Sequence, residues 1–229
     1  MLKKGLVLLL LLFSPLAMAE FRIAPYFAKY EVLYNGLKLG ELTQQLSPVV
    51  DGRQALQSRA YTTGLAAMLK SDTVTQLSIW LREKGRDLPI TYTYQYSGSR
   101  DSRFEKQQYD WPGNRVKSLR DGVETLLALE PGTLDTHMVQ IALRNDLSRG
   151  LQEISYPVID RSRLKQYTFK VLGNESLVTR AFGKLDCIKL QRGTTLFWLA
   201  EKLDYLPIKI EKDEEGTTVT SRLIEFKGE

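Results

Sequence analysis

From Phe27 onward, apolar and polar residues alternate almost one for one, and a period of two suits an extended strand with one face buried. Ala28, Tyr30, Val32 and Tyr34 alternate with Lys29, Glu31 and Leu33, and Asn35-Gly36 then supplies a hairpin turn of the favoured kind. Leu37 to Leu46 reads as the returning strand, and Asp51-Gly52 turns the chain into Gln54 to Thr62. Thr73 to Leu81, Ile90 to Tyr96 and Arg103 to Trp111 are further strands. Pro112-Gly113-Asn114 is a turn with a mechanism, since Pro fixes φ and Gly or Asn accepts positive φ, and Arg115 to Leu119 follows it.

One segment breaks the pattern. After Pro131-Gly132, Leu134, Met138, Ile141 and Ala142 fall on one helical face, with Thr133 or Asp135 as the cap and Gly150 as the stop. Leu65 to Leu69 fits either a helical turn or a strand end. Strands then resume at Ser155–Ile159, Gln166–Leu172, Leu177–Ala181, Leu185–Gln191, Thr195–Ala200, Pro207–Lys212 and Thr217–Phe226. Gly173-Asn174, Gly183-Lys184 and Glu215-Gly216 lie between them as expected turns. The expected fold class is mainly all-β. It is a curved antiparallel meander, forming a half-open or closed barrel around one central helix.

The amino-terminal MLKKGLVLLLLLFSPLAMA has the parts of an export signal: Lys3 and Lys4, an apolar run from Gly5 to Phe13, and Ala17-Met18-Ala19 as the cleavage site. The run is far short of the ~20 apolar residues that span a bilayer. Residues 1–19 are therefore expected to be cleaved, leaving 20–229 as a single β-rich domain. Glu20, not cysteine, follows the cut, so the expected product is exported and periplasmic, soluble and without a lipid anchor. Cys187 is the single cysteine among 229 residues, so no intramolecular disulfide stabilises the domain and its core must suffice. The formal net charge is +5, or +3 without Lys3 and Lys4, and it is spread along the chain. No basic block of the kind nucleic-acid binders use is present, so no nucleic-acid partner is expected.

Chemistry-bearing motifs are sparse. His137 is the single histidine and no G-x-S-x-G elbow accompanies it, so a catalytic role is disfavoured against packing or helix-surface roles. Cys187, in LDCIKL, reads as a small buried hydrophobe. One His and one Cys do not make a zinc site, and Asp213-Glu214-Glu215-Gly216 reads as a hairpin tip, so no metal and no cofactor is expected. Paired carboxylates for glycan hydrolysis remain open, with Asp72, Glu105, Asp110, Asp186 and Glu201 available.

The aromatics are more suggestive. Tyr92, Tyr94 and Tyr96 project from one face of one strand, Tyr109 and Trp111 end the next, and Trp80 lies on the preceding one. Brought together, they would line a concave apolar pocket for a lipid or other apolar or amphipathic envelope ligand. The competing reading is cross-strand pairing that fills the core. A non-enzymatic binding or carrier module is the expected function. A glycan hydrolase, or an assembly factor pairing through an edge strand, are the alternatives.

The last third carries a more specific pattern. Val178-Thr179-Arg180-Ala181-Phe182-Gly183-Lys184-Leu185-Asp186-Cys187-Ile188-Lys189-Leu190 is followed by Phe197-Trp198-Leu199-Ala200-Glu201-Lys202-Leu203-Asp204-Tyr205-Leu206-Pro207-Ile208-Lys209-Ile210. This resembles the exported bacterial family filed as domain of unknown function 3108, with its glycine-centred hairpin and its strand–turn–strand of W-x-(5–8)-P-x-[KR]-I type. Tyr34-Asn35-Gly36-Leu37-Lys38-Leu39-Gly40 and the helix opening at Asp135 also fit that layout. The resemblance runs from about Phe27 to Phe226. It implies a structural framework and a periplasmic setting, and it brings no catalytic residue.

Overall fold

A computed structural model of the chain describes residues 23–83 and 86–228. The expected export signal, Met1–Ala19, lies outside the described residues. Eight strands come first: β1 (Tyr26–Tyr34), β2 (Leu37–Leu46), β3 (Arg53–Thr62), β4 (Thr73–Glu83), β5 (Arg86–Ser97), β6 (Ser102–Asp110), β7 (Arg115–Arg120) and β8 (Val123–Ala128). A short helix, α1 (Gly64–Leu69), connects β3 to β4. Then follow β9 (Leu134–Asp135), the helix α2 (Val139–Ser148), β10 (Glu153–Ile159), β11 (Leu164–Thr179), β12 (Gly183–Arg192), β13 (Thr195–Ala200), β14 (Leu206–Glu214) and β15 (Thr217–Gly228).

All fifteen described strands form one sheet. Its spatial order runs from β8 back to β1, passes to β15, and continues back to β9. Every neighbouring pair is antiparallel except β9 with β10. The sheet's two ends, β8 and β9, are consecutive in the chain, and no backbone ladder joins them. Side chains bring the two ends together instead. Ser118 Oγ on β7 lies 2.9 Å from Ser162 Oγ, and Gln107 Nε2 on β6 donates to the Ile159 carbonyl on β10 at 3.3 Å. A small cluster of Val116, Leu129 and Ile159 seals the same seam.

The concave side of the curled sheet is filled. α2 buries Val139, Ile141, Leu143, Arg144 and Leu147, and its residues merge with Ala28, Leu46, Leu56, Trp80, Leu190, Leu199 and Leu206 into one core. Arg144 is buried within it, donating through Nε to the Asp204 carbonyl at 2.8 Å and lying over the Tyr26 ring at 4.9 Å. Burying a charged group this way requires that its donors find acceptors; Nε and Nη2 do, at the Asp204 and Leu203 carbonyls, while Nη1 has none among the described residues. Ahead of the helix, Asp135 Oδ1 accepts from the backbone N–H of His137 at 2.8 Å and of Met138 at 2.7 Å, so Asp135 braces the turn that leads into α2. The cap position itself is Met138 and carries no side-chain cap bond. Thr133 instead closes its own turn with Glu130.

The mainly β class, the curved meander and the enclosed helix are as the alternation predicts, and the sheet is left open at one seam. Four local expectations need correction. Leu134 belongs to a two-residue strand pairing with Val158 rather than to the helix face, and α2 begins later, at Val139. Tyr34 does not share the buried face with Tyr30. A bulge between Val32 and Leu33 flips the alternation, so Leu33 is buried and Tyr34 exposed. Gly173-Asn174 is not a turn: a one-residue bulge there lets β11 run unbroken for 16 residues. Val123–Ala128, unassigned from the pattern, is an edge strand.

Candidate functional site

Directly opposed residues on neighbouring strands share a face, so register sets out the inner surface row by row. One row runs Ser78, Tyr92, Gln107, Ser118 across β4 to β7, and all four are buried. The next row toward the rim runs Gln76, Tyr94, Glu105, Arg120. The third sets Val74, Tyr96 and Arg103 side by side. The second row floors a cleft of about 260 Å³ at the seam. Tyr92, Thr136 and Arg103 add to that wall, and Asp160, Arg161 and Tyr167 face it from β11 and the turn before it.

The cleft is polar and internally braced. Tyr92 Oη donates to Gln76 Oε1 at 2.9 Å and accepts from Thr136 Oγ1 at 3.1 Å. Glu105 Oε1 accepts from Gln107 Nε2 at 2.8 Å and from the Ser162 backbone N–H at 3.3 Å. Burial opposes ionisation of Asp160, but its ion pair with Lys165 at 2.5 Å prevails and holds the carboxyl below its usual range. Burial pushes the Tyr94 phenol up, opposed in turn by Arg103, Arg161 and Arg120. Three guanidiniums thus share the cleft lining with this half-buried residue and favour its ionised form.

The six aromatics named from sequence do not form one wall. Tyr92 and Tyr94 line the cleft, and Tyr96 sits beside it, donating to Asp72 Oδ1 at 3.1 Å. Trp80 is 1% exposed and belongs to the main core. Tyr109 and Trp111 stack at 6.3 Å against the seam cluster, with Trp111 Nε1 donating to the Pro89 carbonyl at 2.8 Å. The expected apolar pocket is corrected to a polar cleft, because α2 and the core side chains occupy the sheet's concavity. Sequence spacing does not reveal the arginines. They come from β6, β7 and the β10–β11 turn, and no short motif links them.

Behind the cleft floor, Ser78, Asp135 and His137 meet. Ser78 Oγ donates to Asp135 Oδ1 at 2.8 Å and lies 3.3 Å from His137 Nδ1. A nucleophile relay needs serine to give its proton to histidine and the carboxylate to hold the far ring nitrogen. Here the carboxylate takes the serine proton and two backbone amides, and all three residues are buried. Burial pushes Asp135 up to about 6 and His137 down to about 3.

Of the five acids weighed for hydrolysis, Glu105 alone lines the cleft. Asp110 is tied into the turn with Arg115, Asp72 pairs with Lys70, Asp186 is exposed beside Ser176, and Glu201 is exposed in a 3₁₀ turn. Cys187 is a buried free thiol, pushed up to about 11 by burial. Among the described residues, no group of three or more His, Cys, Asp or Glu is placed to hold a metal ion. Nor is any described helix long and apolar enough to cross a membrane.

Comparison with known proteins supports the fold. The family described as "Protein of unknown function (DUF3108)" matches residues 29–223. No curated protein matches the chain. Among solved structures, a β-barrel-like protein of domain of unknown function DUF1849 from Brucella abortus is similar, with a TM-score of 0.62 at 10% identity. That likeness covers 91% of this chain and 99% of the other. At that identity the two share an architecture, and a shared fold does not carry a function with it.

Proposed function

The chain belongs to the DUF3108 family, and from that premise we propose that it is an exported, periplasmic, non-enzymatic β module that binds an amphipathic envelope ligand at the seam cleft. The observation that carries this reading is the lining itself. Tyr92, Tyr94 and Tyr167 share it with Arg103, Arg120 and Arg161. Aromatic rings offer apolar contact with a polar handle, and arginine recognises ionic groups, so such a wall suits a ligand with both characters. A cleft of about 260 Å³ fits a head group, leaving an acyl chain to lie along the surface. Native mass spectrometry with lipid extraction, on protein purified from its own compartment, tests this. A reproducible co-purifying amphiphile is expected, and a clean unliganded mass would overturn the reading.

One observation favours a second reading, assembly through the sheet edge. β8 ends the sheet with its outer side unpaired, and Val123 and Leu126 on it are 67% and 64% exposed. Unpaired edges of this kind accept a strand from another chain. Cross-linking from a cysteine placed at Leu126 would report such a partner, and a monomeric, uncrosslinked product in the native envelope would exclude it.

A further inference from the structure

Three arginines from three separate stretches converge on one cleft: Arg103 on β6, Arg120 at the end of β7, and Arg161 in the turn between β10 and β11. The two carboxylates in the same lining are already committed, Glu105 to Gln107 and the Ser162 amide, Asp160 to Lys165. The arginines are held loosely by comparison. Arg103 pairs outward with Asp101 at 3.2 Å, and Arg120 reaches Asp121 only at 3.7 Å. Asp101 and Asp121 do not line the cleft, and solvent-exposed pairs of this type exchange readily for a better acceptor. No ion pair among the described residues holds Arg161.

The turn that presents Arg161 is fixed. Arg161 and Ser162 both adopt the left-handed backbone region, at φ 51° and 55°, where Asn-Gly is the easier choice for such a hairpin. The Ser162 amide on Glu105 and its hydroxyl on Ser118 lock that turn against the opposite wall. Arg161 therefore enters the cleft from a turn that is braced on the opposite wall whenever the seam is closed.

We propose that the cleft is a phosphate site, in which Arg103, Arg120 and Arg161 take the terminal oxygens of a phosphomonoester. Three guanidinium forks match three terminal oxygens, whereas a carboxylate has only two. The Tyr94 hydroxyl, which lines the same cleft, supplies a further donor to that group. The ester is either a small soluble molecule or the head of a lipid, and this assignment rests on the cleft being the binding site proposed above.

Two probes separate the sources. Calorimetric titration of the purified protein with glycerol 3-phosphate reports the soluble ester. Flotation with phosphatidic acid vesicles, set against phosphatidylcholine vesicles, reports the lipid. Saturable binding to one of these phosphates is expected. It should weaken as salt rises, fall at least tenfold in Arg161→Gln and in Arg120→Gln, and return in part in Arg161→Lys, with the urea midpoints of the variants unchanged. Phosphate-independent behaviour overturns the proposal: no saturable binding to either probe, or equal binding by wild type and both glutamine variants. A co-purifying neutral amphiphile without phosphate binding would remove this assignment and leave the carrier reading intact. Phosphate binding by a protein that is otherwise unliganded in its compartment would do the reverse.

Discussion

Ser118 and Ser162 are 44 residues apart in the chain, and their hydroxyls lie 2.9 Å apart across the seam. A closed barrel would place a backbone ladder at this point. This one has Ser118–Ser162, Gln107 to Ile159, Glu105 to Ser162 and a three-residue apolar cluster. Side-chain hydrogen bonds contribute only about 0.5–1.5 kcal/mol each, so the seam is expected to open before the sheet does. Native-state hydrogen exchange measures this. Amides of β8 and of residues 160–163 should exchange ahead of those in β1 and β15, and Ser118→Ala should accelerate them further while costing about 1 kcal/mol overall. Uniform protection around the sheet would contradict the seam as the weak point.

The buried cluster behind the cleft makes stability depend on pH in two opposing ways. Burial raises Asp135 to about 6 in the folded protein, above the ordinary value of 3.8 for a free aspartate. Its contribution is present below pH ~4 and is lost as pH rises through ~6, a change of about 3 kcal/mol. His137, lowered by burial to about 3, contributes stability that is present above its unfolded value and lost as pH falls through ~3. Asp135→Asn keeps the acceptor for Ser78 and the two amides but does not titrate. Urea unfolding at pH ~4 and ~7.5 should therefore show the variant gaining on wild type at the higher pH. A difference that stays constant would refute burial as the cause.

Core and edge should differ sharply in their tolerance of substitution. Met138 is fully buried between α2 and the sheet, so Met138→Ala is expected to cost about 2–5 kcal/mol, and Trp80→Ala about 3–5 kcal/mol. Leu126→Ser on the exposed edge should stay within about 0.5 kcal/mol. Chemical denaturation of the three variants checks the ranking. A large loss at Leu126 would mean that the outer side of β8 is covered.

Two glycines test whether the bulges are built in. A Cβ at Gly40 would stand 2.2 Å from the Tyr61 carbonyl oxygen, so Gly40→Ala must push two strands apart. At Gly173 there is room for a Cβ, but φ is 117°, a conformation L-residues avoid. Gly173→Ala should cost about 1–3 kcal/mol through backbone strain alone. Thermal unfolding should rank Gly40→Ala as the more damaging of the two.

The alternation and the turn dipeptides carried most of the fold, because strand period and positive-φ turns are local properties. Asn35-Gly36, Asp51-Gly52 and Glu215-Gly216 all turn where their chemistry requires, each pair at positive φ. Asp121-Gly122 has the same geometry but gives no hairpin signal in the sequence, because Val123–Ala128 lacks a clean period of two. Gly173-Asn174 misled for the opposite reason: a dipeptide that suits a turn also suits a bulge, and only the partner strand decides. The cleft was half legible. Tyr92 and Tyr94 share a strand face that spacing reveals, whereas Arg103, Arg120 and Arg161 meet only because the curled sheet brings β10 and β11 back to β6 and β7.

The pairing of β1 with β15, Tyr26 opposite Gly228, has a consequence for how the chain is made. Among the described strands, β1 must wait for β15 before its outer edge is satisfied, while the two strands left at the margins are separated by only a short link in mid-chain. The connectivity is thus a ring whose covalent break lies deep inside the sheet and whose open edge lies where the chain is continuous. Joining the ends and cutting at residues 129–133 would convert the longest-range closure into an ordinary hairpin and lower the contact order. In the natural order the β1–β15 ladder is the pairing of longest sequence separation among the described strands.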